Sequence, residues 1–138
     1  MFVTVWLGIL EISTGIITAA NAGHEYPAVF KNGEAFELLK DPHGFVIGGI
    51  ENLKYRNYTI ELKKGDSLFL YTDGLCEATN AEEKLFGSER MIQALNLNPS
   101  ASPDVILDTV KKEVDSFVGD VDPFDDLTMM CLKFYGKE

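Results

Sequence analysis

Ser67-Leu68-Phe69-Leu70-Tyr71-Thr72-Asp73-Gly74 is a mostly apolar strand that runs directly into a carboxylate and a glycine. An apolar run of this length bounded by turn residues reads as a buried strand, and its abrupt end predicts that Asp73 projects at the sheet's edge. Upstream, Tyr58–Leu62 alternates apolar and polar residues, and Lys63-Lys64-Gly65-Asp66 turns the chain between the two strands. Downstream, Asp125-Asp126 stands immediately before a second apolar strand, Leu127–Phe134. Two such strands side by side would bring Asp73 and Asp125 together from distant parts of the chain.

The remaining elements follow from the same signals. Phe2–Glu11 is apolar at both alternating sets of positions, which predicts a strand covered on both faces. Ser13-Thr14-Gly15 turns it into a second strand, Ile16–Asn21. Asn32-Gly33 between Ala28–Lys31 and Ala35–Leu39 is a hairpin signal. Lys40–Gly49, with Pro42, Gly44, Gly48 and Gly49, reads as a loop, and Ala81–Glu83 as a polar turn. Two helices are predicted: Ser88–Leu95, capped by Ser88, and a longer one opened by Ser102-Pro103 and stopped by Gly119. The order is antiparallel strands, then two helices, then a last strand. That is an α+β layered arrangement in one domain spanning residues 1–138. The strand beginning at residue 2 suggests a chain that enters its domain partway through.

Composition narrows the function classes. The 22 acidic side chains against 12 basic ones give a formal charge of −10, which argues against nucleic acid and anionic membrane surfaces as partners. The same charge suits plain solubility or the concentration of divalent cations. No apolar run reaches the length of a membrane-spanning helix, and the start lacks the basic region of a signal peptide. Cys76 and Cys131 are too few for a disulfide framework, which fits the cytoplasm.

Hard cations such as Mg²⁺ and Mn²⁺ prefer oxygen ligands, and strand ends hold carboxylates rigidly. Close carboxylates repel, and a divalent ion relieves that repulsion. Asp is also a common turn former, so spacing alone leaves both readings of Asp73 and Asp125 open. His24, after Ala22-Gly23 in a loop, reads as a structural hydrogen-bonding histidine or as a proton donor to a leaving serine. Two histidines without paired cysteine spacing do not make a zinc site.

Three segments carry a resemblance: Asn21-Ala22-Gly23-His24-Glu25-Tyr26-Pro27, Gly65–Ala78 and Asp125-Asp126-Leu127-Thr128. In this order they resemble the C-terminal motifs of the stage II sporulation protein E type of phosphatase, within the metal-dependent protein phosphatase (PPM) superfamily. The resemblance implies a protein-serine/threonine phosphatase, with Asp73 and Asp125 as ligands of a binuclear Mn²⁺/Mg²⁺ centre. It implies close backbone approach at Gly74, a water or third metal at Glu77, and a loop-orienting hydrogen bond at Asp126. Neither cysteine need act as nucleophile in such an enzyme. The implied partner is a phosphorylated regulatory protein such as an anti-anti-sigma factor, often with sensory or receiver domains upstream. The family's N-terminal motifs, including an aspartate that bridges both metals, do not occur in this chain. The expectations are therefore a partial domain, weak cation binding at roughly millimolar levels, and a poor phosphatase or a non-catalytic interaction module when the chain stands alone. An open edge or uncovered apolar face would further favour a homo-oligomer.

Overall fold

The computed structural model describes residues 1–122 and 126–136. Strands β1 (Val5–Glu11) and β2 (Ile16–Ala22) form an antiparallel hairpin. At its turn, Gly15 has φ +78°, and a Cβ there would meet the Leu62 carbonyl oxygen at 2.1 Å, so only glycine fits. The second hairpin, β3 (Ala28–Phe30) with β4 (Phe36–Leu38), turns at Asn32-Gly33. The predicted loop after it contains a two-residue strand, β5 (His43–Gly44), parallel to β2. Strands β6 (Tyr58–Glu61) and β7 (Ser67–Tyr71) follow, then helices α1 (Asp73–Cys76), α2 (Gly87–Leu95) and α3 (Pro103–Val118), and finally β8 (Met129–Lys133).

The strands make two sheets. One joins β1, β2 and β5, with β6 also on β2; the other runs β4-β3-β7-β8. Ile17, Ala19, Ile60, Leu62, Val29, Leu68 and Phe134 fill the space between the sheets. On the other face of the second sheet, Phe30, Phe36, Phe69 and Tyr71 pack against Met91, Leu95, Ile106, Val110 and Val114 of the helices. Helix α3 keeps the predicted Ser102-Pro103 start and ends at Gly119, whose φ of 68° is the conformation a glycine stop provides.

Two expectations are corrected. Strand β1 is not covered on both faces: Leu7 and Ile9 are 61% and 69% exposed, and they stand opposite Ala20 and Thr18 of β2. The sequence encodes apolarity on that face but supplies no element among the described residues to cover it. Helix α2 begins one residue earlier than expected and is preceded by Phe86, not capped by Ser88. Gly87 at φ +80° makes the sharp entry.

Burial of several weak acids gives a pH expectation. Burial pushes the thiol of Cys76 up to about 12 and that of Cys131 up to about 11, and it raises the Tyr58 and Tyr71 phenols. Above about pH 9 the unfolded chain loses these protons while the folded chain retains them. Stability should therefore be intact below that pH and fall as pH rises through 11–12. The urea midpoint is expected to be lower at about pH 10.5 than at about pH 8, with thiol labelling slow at pH 8 until the chain unfolds.

Candidate active site

The register of β7 and β8 places the candidate carboxylates. Tyr71 pairs with Met129, and the Thr72 amide donates to the Thr128 carbonyl at 3.1 Å. The C-terminal end of β7, leading to Asp73, therefore lies beside the N-terminal approach to β8, where Asp126 and Leu127 stand. Asp125 itself lies outside the described residues. Strand β7 is central, flanked by β3 and β8, so Asp73 projects from the end of an interior strand and not from a lateral edge.

Asp73 does not simply end the strand; it opens the single-turn helix α1, and the Glu77 amide donates to its carbonyl at 2.9 Å. Gly74 and Leu75 are buried beneath that turn, while the carboxylates of Asp73 and Glu77 are exposed one turn apart. Gly74, Glu77, Asp126 and Leu127 line one open cavity of about 1130 Å³ together with Val114 and Val118 of α3; Asp73 is not among its lining residues. Burial raises the Cys76 thiol, and the charges of Glu25, Glu77 and Asp73 add to it. A thiol held protonated in this way is a poor nucleophile.

In kind, these donors suit a hard divalent cation, being carboxylate oxygens held at a strand end. The Thr72 hydroxyl, next to Asp73, is buried without a hydrogen-bond partner among the described residues. Such a group is commonly satisfied by a bound water or ion. Among the described residues no three His, Cys, Asp or Glu side chains group to hold a metal, and Asp125 lies outside them.

His24 has both ring nitrogens engaged by protein, 3.1 Å from the Thr4 hydroxyl and 3.0 Å from the Tyr71 carbonyl oxygen. Behind it lies a polar cluster that the sequence reading did not identify. Asn21 is buried and donates to both oxygens of buried Asp41, which also accepts from Tyr58, whose hydroxyl accepts from Trp6 Nε1 at 2.8 Å. The available signal was Asn21 itself, a polar residue in phase with inward-facing Ile17 and Ala19.

The sequence model of the stage II sporulation protein E (SpoIIE) family matches residues 1–135, and the chain belongs to that family. Protein IcfG of Synechocystis sp. is 32% identical over 132 residues, covering 96% of this chain and 20% of that protein. The Mn-presoaked phosphatase domain of SpoIIE from Bacillus subtilis superposes with a TM-score of 0.72 at 19% identity, covering 95% of this chain and 56% of that one. The RsbU and RsbW domains of Rv1364c from Mycobacterium tuberculosis give 0.76 at 18% identity, with 98% and 37% covered. The SiaA-PP2C domain of Pseudomonas aeruginosa gives 0.70 at 23% identity, with 87% and 46% covered. The fold is that of PP2C-type phosphatase domains, and the chain spans about half or less of each of these structures.

Proposed function

We propose that the chain is the part of a cytoplasmic Mn²⁺- or Mg²⁺-dependent protein-serine/threonine phosphatase that carries Asp73 and Asp125 as metal ligands. The observation supporting this most directly is the β7–β8 register, which sets Asp73 beside the segment entering β8. Such metals, when bound, supply Lewis acidity toward a phosphoryl oxygen and a more acidic water. The chain's own contribution is to hold Asp73 on a buried turn, to place Glu77 one turn further where its carboxylate can order a water, and to keep Val114 and Val118 of α3 lining the same cavity as Glu77. The substrate proposed is phosphoserine or phosphothreonine on a small regulatory protein of the anti-anti-sigma kind. The test is hydrolysis of an aryl phosphate by the full gene product with and without Mn²⁺. Metal-dependent turnover abolished by a chelator is expected; equal rates in both conditions would count against the reading.

A second reading is favoured by the exposed face of the first sheet. We propose that Leu7, Ile9 and Ile16, on one face of β1 and β2, make an association surface for a second copy of the chain, since contiguous exposed apolar patches mark such sites. Light scattering is expected to show a mass that rises with concentration, and Ile9→Lys should restore a monomer. A monodisperse monomer across the range would sink this second reading.

A further inference from the structure

Strand β3 stops at Ala28, opposite Phe69, so Tyr71, two residues further along β7, has no backbone partner from β3. The imidazole of His24 takes that place, with Nε2 at 3.0 Å from the Tyr71 carbonyl oxygen. A carbonyl only accepts, so Nε2 carries the proton, and in the neutral ring Nδ1 accepts from the Thr4 hydroxyl at 3.1 Å. The ring is itself held from behind. The His24 amide donates to Asn21 Oδ1 at 2.7 Å, while Asn21 Nδ2 donates to the two Asp41 oxygens at 3.1 and 3.2 Å. Gly23 makes the turn between them at φ +71°, where a Cβ would stand 2.7 Å from Val46 Cγ1. Asn21 is 1% exposed and Asp41 6%, so this anchor is buried and its hydrogen bonds act at low local dielectric.

We propose that His24 is a positioning residue of the candidate active site, tying the end of β7 that presents Asp73 to the buried Asn21–Asp41 pair. The proposal rests on the phosphatase reading for what Asp73 does. Its structural content is that the segment 71–73 is held on one side by β8 and on the other by an imidazole, not by a neighbouring strand. Side chains that orient metal ligands from behind them typically change metal affinity by 10–100-fold when removed.

The test uses the full gene product and compares His24→Phe, which keeps a ring and loses the donor, with His24→Gln, which restores an amide donor. Mn²⁺ affinity by calorimetry is expected to drop about tenfold in His24→Phe, with kcat reduced and KM little changed. Most of the loss should be recovered in His24→Gln, with circular dichroism unchanged in both. A folded His24→Phe that binds Mn²⁺ like the unmodified protein overturns the proposal. Where His24→Phe does not fold, the ring ¹⁵N signals of the unmodified protein decide. An Nε2–H tautomer whose signal shifts on saturation with Mg²⁺ supports the role; an Nδ1–H tautomer, or indifference to Mg²⁺, overturns it. Asp73→Asn separates the two levels. If it leaves Mn²⁺ affinity and hydrolysis intact, the phosphatase reading of the site falls. If it abolishes both while folded His24→Phe leaves both unchanged, only the positioning role falls.

Discussion

Asp73→Asn in the full gene product is expected to lower Mn²⁺-dependent hydrolysis of an aryl phosphate by about 10²–10³-fold, with folding stability unchanged. Asn keeps the shape of the side chain and one carbonyl oxygen, so the substitution removes little except the negative charge. The carboxylate is exposed and accepts no hydrogen bond from a described residue, so folding should lose almost nothing. No ion pair to Asp73 is found among the described residues, and Glu77, one turn away, carries the same sign, so the substitution breaks no salt bridge. Activity should respond very differently. A carboxylate that holds a catalytic cation contributes several kcal/mol of charge stabilisation, and each 1.36 kcal/mol is tenfold in rate. Steady-state kinetics with a urea titration of the same preparation checks both halves. A variant with full activity would remove Asp73 from the metal site, and one that unfolds would show a structural role that the exposed side chain does not suggest.

Phe69→Ala carries the largest expected effect on stability, a loss of about 3–5 kcal/mol by urea unfolding. Phe69 is fully buried at the centre of β7, stacked on Tyr71 with ring centroids 5.8 Å apart and walled by the helices. Truncation removes the transfer energy of the ring and leaves a cavity that two flanking strands prevent from closing. Leu97→Ala, at a side chain 63% exposed just after α2, should stay within about 0.5 kcal/mol. Comparable losses at both positions would mean that the helices do not pack on β7 as described.

Strand β7 was legible because its apolar run and its neighbours' turn residues agree. The same is true of the hairpin at Asn32-Gly33 and of α3, whose Ser102-Pro103 and Gly119 mark both ends. What the pattern of β1 could not show is which of its apolar faces meets a partner, because alternation records side-chain chemistry and not what lies opposite. Helix α1 was invisible for a different reason: four residues are too few for a helical period, and Asp73-Gly74 reads equally well as a turn. The Asn21–Asp41–Tyr58–Trp6 cluster joins four separate segments by hydrogen bonds, so no local window contains it. The candidate site was partly readable because Asp73 lies at the end of one strand and Asp125-Asp126 just before another. That the end of β7 lies beside the segment entering β8 needed the β7–β8 register.

That register also sets an order of assembly. Strands β7 and β8 are neighbours in space, but all three helices lie between them along the chain. During synthesis Asp73 leaves the ribosome with its turn and its His24 anchor already available, while the segment that must lie beside it has yet to be translated. Closing so long a loop costs chain entropy that no local contact offsets, so the β7–β8 pairing forms late. The end of β7 and the segment entering β8 therefore remain apart in nascent intermediates and meet only when the last strand docks. A ribosome stalled before β8 would display a largely formed helical layer carrying the end of β7 alone.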